Sequence, residues 1–130
     1  MTIIALIGLK GSGKDTLVNS LDKDSFPIPI YTLKFARGIK SILETYFSIY
    51  KSVYEDSISK ETPNNQINGR TPRSLMIDIG LLFRKYNPDV WVNFLDKHLS
   101  KIREAHDTEP LIIITDLRFK NELEYVKNQG

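Results

Sequence analysis

The sequence predicts an α/β fold, a sandwich of helices around a mostly parallel sheet. Three observations predict it. Two short runs, "TIIALI" at 2–7 and "LIIIT" at 111–115, are apolar and rich in β-branched side chains, the pattern of strands buried on both faces. Several segments between and beyond them carry apolar residues at helical spacing. A glycine-rich stretch, "GLKGSGKDT", follows the first run and opens a helix.

The elements follow in the order β-α-β-α-α-α-β-α. The first strand, 2–7, is bounded by glycine, and "KDTLVNSL" continues the glycine loop as a short helix. "IPIYTLKF" reads as the second strand, with Pro27 and Pro29 at its start, where a missing N–H does least damage. "ARGIKSILETYFSIY" then places Ile39, Ile42, Leu43, Tyr46, Phe47 and Tyr50 at helical spacing. Residues 51–70 are polar and broken by Pro63 and Gly69, so they read as a long loop of the kind that is often functional. Thr71-Pro72 is an N-cap followed by proline at the first helical position, and that helix is expected to turn Leu75, Met76, Ile79, Leu82, Phe83 and Tyr86 inward. Asn87-Pro88 repeats the start signal, ahead of a helix with Trp91, Phe94, Leu95, Leu99 and Ile102 on one face. The third strand, 111–115, is closed by Asp116, and a final helix runs from Phe119 to Asn128.

A chain of 130 residues has the length of one domain, and 41% hydrophobic with 26% charged residues is ordinary for a soluble globular protein. The net charge of +2 is too small to argue for nucleic-acid binding, though a cationic pocket for a phosphorylated small molecule fits it. No cysteine is present, which excludes disulfides, thiolate zinc sites and cysteine nucleophiles and agrees with a reducing compartment. The apolar run at 3–7 is far too short to cross a membrane and has no basic stretch before it, so the cytoplasm is the default location. His98 and His106 have no ligand-like spacing.

Chemistry concentrates in three stretches. In the glycine loop, Gly8, Gly13 and Lys14 match the pattern G-x-x-x-x-G-K-[ST], but Asp15 stands at the hydroxyl position and Thr16 comes one residue late. Glycines let successive N–H groups point at one spot, and the helix start near Lys14 adds the positive end of its dipole, so the loop reads as an anion cradle. Lys14 would reach the β- and γ-phosphates, and the nearby hydroxyl would help hold Mg²⁺. In "IIITDLRFKNE", Asp116 ends a buried strand as a metal-directed carboxylate does, with Arg118 two residues on and Glu122 one helical turn later. The plainer reading is that Asp116 caps the last helix and pairs with Arg118. In "GRTPRSLMIDIGLLFRKYNPDVWVNF", Arg70, Arg73, Arg84 and Lys85 cluster beside Trp91, which is either a face for a base or core packing. Arg84 also suits a solvated helix face. Gly80 inside an apolar helix costs ~1 kcal/mol against alanine, which suggests close approach of another backbone or a ligand.

Taken in order, "GLKGSGKDT", "FARGIKSIL", "KETP…GRTPRSLMIDIG…R…PDVWVNF" and "IITDLRFKNELEYVKNQG" resemble the phage deoxynucleoside monophosphate kinases, across nearly the whole chain. The resemblance implies a P-loop NTPase-type three-layer sandwich of the adenylate-kinase-like class, here lacking the C-terminal strands. It also implies a single kinase domain over 1–130, with 51–70 on the substrate side. The implied reaction is transfer of the γ-phosphoryl of ATP to a deoxynucleoside monophosphate, with ATP and Mg²⁺ as cofactors and small-molecule nucleotides as partners. By matching position, Lys10, Gly11, Ser12, Gly13, Lys14, Asp15 and Thr16 would bind the ATP phosphates. Ile39, Lys40, Arg73, Gly80 and Trp91 would line the acceptor site, completed by Asp116, Arg118 and Glu122. Lys14, Asp116 and Arg118 would be catalytic, and Thr16 and Asp116 would serve the metal.

Two departures stand out. Leu81 follows Gly80 where the family often has threonine, which removes a hydroxyl contact. Family members also continue past the glycine matching Gly130, through another strand that would flank 2–7. The expectation is therefore either self-association through 2–7, as a homodimer, or a poorly active monomer. Other readings are a different small-molecule P-loop kinase and an inactive nucleotide-binding module.

Overall fold

A computed structural model describes residues 2–7, 20, 27–107 and 109–129. The glycine loop at 8–16 lies outside the described residues, as does nearly all of the helix expected after it. The chain divides into two compact units, Met1–Phe35 with Val92–Gly130, and Ala36–Trp91.

The first unit holds the sheet. Strands β1 (Thr2–Ala5), β2 (Ile30–Leu33) and β3 (Leu111–Ile114) run parallel in the order β1-β3-β2. The register sets Thr2 and Ile30 against Leu111, and Ala5 and Leu33 against Ile114. Leu6 extends the first pairing by donating its N–H to the Ile114 carbonyl at 2.8 Å. Burial on both faces, expected of both apolar runs, is realised in β3, where Ile112, Ile113 and Ile114 are all buried. It is not realised in the run at 2–7, where Ile4 of β1 is 44% and Ile7, just beyond the strand, 71% exposed. The reason is position: β3 is flanked on both sides, while β1 has a strand on one side only among the described residues.

Helix α4 (Val90–Ala105) supplies Val92, Leu95, Leu99 and Ile102 to a core that also takes in Leu33, Phe35, Ile112, Ile114 and Leu117. Phe94, expected on the same face, is half-exposed and Val92 stands in for it. At 3.6 residues per turn the stripe through 95, 99 and 102 passes near 92 and away from 94. Helix α5 (Lys120–Asn128) covers this core with Leu123, Tyr125 and Val126, and the Tyr125 hydroxyl donates to Asp96 Oδ1 at 2.8 Å.

The second unit is helical. Helix α1 (Arg37–Phe47) ends at Ser48, whose left-handed backbone (φ 53°) brings the Ile49 N–H to the Leu43 carbonyl and buries Ile49. The stretch read as a loop is more ordered than its polarity suggests: it holds helix α2 (Lys51–Tyr54) and 3₁₀ turns at Ser59–Glu61 and Asn65–Ile67. Two apolar anchors, Tyr54 and Ile67, fix it to the core. Asn64 shapes the rest, accepting from the Gln66 N–H with its side chain and bridging to Arg70 through its backbone. Helix α3 (Pro72–Tyr86) begins as expected, with Thr71 Oγ1 accepting from the Ser74 N–H at 3.2 Å. Its buried side runs through Pro72, Ile79 and Gly80, joined by Leu75 and Met76. Leu82 and Tyr86, expected inward, are exposed because they lie off or beyond the part of the helix that this cluster covers.

Candidate functional site

At the carboxyl end of the sheet, β1 and β3 are adjacent and parallel, so the chain leaves both strands on the same edge of the sheet. Lys10, Gly11, Ser12, Gly13, Lys14, Asp15 and Thr16 lie outside the described residues. Asp116 follows β3 directly, and its Oδ1 accepts the Phe35 N–H at 2.8 Å, tying the end of β2 to the end of β3. Glu122 is buried, and one of its oxygens accepts from the N–H groups of both Arg118 and Phe119, at 2.9 and 3.0 Å. It thereby fixes the turn between β3 and α5. The Arg118 side chain is exposed on that turn. Thr115, between Ile114 and Asp116, is fully buried with its hydroxyl unpartnered among the described residues.

The helical unit brings three of its five expected site residues together. A Cβ on Gly80 would stand 3.2 Å from Ile39 Cδ1, so glycine here admits the side chain of α1 rather than another backbone. The Trp91 indole N–H points to the Gly80 carbonyl at 3.4 Å, and its ring stacks on Phe83 with centroids 5.1 Å apart. With Trp91 buried, its polar atom and one ring face are engaged inside the unit. Lys40 Nζ lies 3.5 Å from Glu55 and 5.4 Å from the Tyr54 ring centroid, a cation held between a carboxylate and an aromatic face. Arg73 pairs with Glu61 at 3.7 Å, both side chains nearly half exposed, a contact worth only ~0–1 kcal/mol and readily exchanged for a phosphate.

Sequence reasoning missed a cleft of about 360 Å³ in this unit, lined by Phe47, Ile67 and Leu75 together with Arg70, Ser74 and Asp78. Its lining comes from three separate segments, and no spacing rule links them. Among the described residues, no group of three or more His, Cys, Asp or Glu is arranged to hold a metal on its own, and no helix is long and apolar enough to cross a membrane.

The chain is 31% identical, across 140 aligned positions covering 100% of it and 70% of the relative, to a protein of Acanthamoeba polyphaga mimivirus provisionally named a deoxynucleotide monophosphate kinase. The chain belongs to the deoxynucleotide monophosphate kinase family. No family model matches it, and no solved structure matches it significantly. In this kinase-family chain the described candidate residues form two groups. Asp116, Arg118 and Glu122 lie at the end of β3 in the sheet unit, and Ile39, Lys40, Arg73, Gly80 and Trp91 in the helical one.

Proposed function

We propose that this chain is a nucleotide kinase that transfers the γ-phosphoryl of ATP to a deoxynucleoside monophosphate, giving the diphosphate and ADP. The observation that carries the reading is the 31% identity with the mimivirus protein in an alignment that spans the whole chain. The adjacency of β1 and β3 supports it, since ligands of open α/β sheets bind off the carboxyl ends of the strands.

In this reading Lys10 to Thr16 cradle the ATP phosphates and Lys14 reaches the β- and γ-phosphates. Arg118 neutralises charge on the reacting phosphates, and Glu122 holds the turn that presents it. On the acceptor side, Arg73 grips phosphate, Lys40 contributes positive charge, and Ile39, Gly80 and Trp91 form a wall for the nucleoside. An acceptor phosphate oxygen attacks the γ-phosphorus while its bond to the bridging oxygen breaks, and ADP leaves. The acceptor phosphate, with a second pKa of ~6, is already ionised near neutral pH and needs no strong base. Catalysis is then a matter of position and charge.

Mg²⁺ is commonly held by one or two carboxylates together with substrate phosphates. The Asp116 carboxylate at the end of β3 is an oxygen donor of the kind such a site uses, and Thr16 would add a hydroxyl. When bound, the ion would offset the negative charge of the phosphates.

The test is ADP formation by the purified chain with ATP and MgCl₂, comparing each dNMP with no acceptor and with non-nucleotide phosphate acceptors. Formation that depends on a dNMP is expected. Formation that depends on a non-nucleotide acceptor instead would overturn the substrate assignment.

A further inference from the structure

Both cations that the acceptor side would draw from the helical unit are already paired with carboxylates. Lys40 on α1 lies 3.5 Å from Glu55, and Arg73 on α3 lies 3.7 Å from Glu61. The two carboxylates come from one short stretch: Glu55 closes α2, and Glu61 ends the 3₁₀ turn Ser59–Glu61. That stretch is ordered. Tyr54 is buried beside Glu55, Asp56 Oδ2 accepts the Ser59 N–H at 2.7 Å, and the Thr62 hydroxyl donates to the Ile58 carbonyl at 2.8 Å. A fixed backbone therefore presents both carboxylates to the two cations.

The pairs have the features of contacts that exchange. Both are longer than a normal hydrogen bond, and the Arg73–Glu61 pair is nearly half exposed. Glu55 has a second cation, Lys51, at 3.8 Å, so it keeps a partner when Lys40 turns to another anion. Lys40 in turn keeps the Tyr54 ring, 5.4 Å from its Nζ. A phosphate group near neutral pH carries more negative charge than a carboxylate and offers three strong acceptor oxygens, so it competes well for both cations. Resting on the kinase reading above, we infer that Glu55 and Glu61 set the affinity of the acceptor site. Each holds a phosphate-binding cation while the site is empty and gives it up to the phosphate of an incoming deoxynucleoside monophosphate.

The experiment measures, by calorimetry, the affinity for each common dNMP of the wild type, Glu55→Gln, Glu61→Gln, the double variant and Asp78→Asn. Asp78 is exposed on α3 and pairs with neither cation, so its variant removes a negative charge from the same unit without releasing Lys40 or Arg73. Each glutamine variant should bind dNMP more tightly than the wild type. The double variant should gain about five-fold or more, equivalent to ~1 kcal/mol, the scale of two partly exposed ion pairs. Asp78→Asn should gain much less. Carboxylates that merely braced the fold would give unchanged or weaker binding in the glutamine variants, and either result overturns the inference. An equal gain in Asp78→Asn also overturns it, since the effect would then belong to the general charge of the unit. If neither the wild type nor the double variant binds any dNMP, the kinase reading falls together with this inference. Binding by the wild type that the glutamine substitutions leave unchanged removes this inference alone.

Discussion

Tyr54 is buried and donates its hydroxyl to Glu44 at 2.6 Å, a pairing that contributes to the response of the helical unit to alkaline pH. Burial first, and then the bond to Glu44, push its phenol above the usual range. The folded chain thus keeps a proton that the unfolded chain releases near pH ~10. Stability from this group is full below that pH and is lost as pH rises beyond it. Tyr54→Phe should cost ~0.5–1.5 kcal/mol at pH 7 through the lost hydrogen bond. It should also flatten the decline in stability above pH ~10, which urea unfolding at neutral and alkaline pH would measure. Tyr125, pushed up by burial and its bond to Asp96, maintains part of the decline in both proteins. Glu122 makes a second test at this scale. Its carboxylate serves two backbone N–H groups in a buried setting, so Glu122→Ala should destabilise by ~1–3 kcal/mol. Glu122→Gln keeps an acceptor oxygen and should lose less. Hydrogen exchange should speed up at the Arg118 and Phe119 amides in the alanine variant.

At the scale of elements, α1 meets α3 where Ile39 Cδ1 would stand 3.2 Å from a Cβ at position 80. Gly80→Ala adds a helix-propensity gain of ~1 kcal/mol but crowds that methyl. Ile39→Val alone should cost ~0.5–1.5 kcal/mol. Because Ile39→Val deletes the crowded atom, the double variant should be more stable than the sum of the singles by ~0.5 kcal/mol or more. Strict additivity in denaturant unfolding would remove this contact from the account. The helix at 72–86 was legible because Thr71 and Pro72 act through local hydrogen bonding and a fixed φ, which need no distant partner. Burial was legible only where it is nearly all-round, as in β3. Which side of α3 is covered, and why Phe94 gives way to Val92, depends on where neighbouring elements end, and periodicity does not carry that information. The order within 51–70 escaped notice for a related reason. It hangs on Tyr54 and Ile67, apolar residues that follow no period in a polar stretch, and on the backbone bridge between Asn64 and Arg70.

For the molecule as a whole, the class of chemistry was more legible than the layout of the residues that serve it. A strand, a glycine loop and an acid-terminated strand can be read off locally, and the parallel pairing of β1 with β3 agrees with that reading. Glu122 was legible as a nearby carboxylate but not as the acceptor for two amides, since that depends on how the turn folds back on α5. Trp91 was left between packing and base contact. Its stacking on Phe83 and its bond to the Gly80 carbonyl show how far it belongs to the core of its unit. The cleft under Arg70 and Asp78 arises only when three segments meet, and no stretch of sequence announces it. The proposed reaction moves a phosphoryl group from ATP to a deoxynucleotide and requires Lys14 in the glycine loop. The measurement that meets it most directly follows the labelled γ-phosphoryl of ATP in the presence of MgCl₂ and a dNMP, with wild type and Lys14→Ala side by side. Label is expected in the deoxynucleoside diphosphate with the wild type, and transfer reduced by ~10² or more in the folded variant, since electrostatic stabilisation is typically the largest single contribution. Label appearing only as inorganic phosphate, or undiminished transfer by Lys14→Ala, would contradict it.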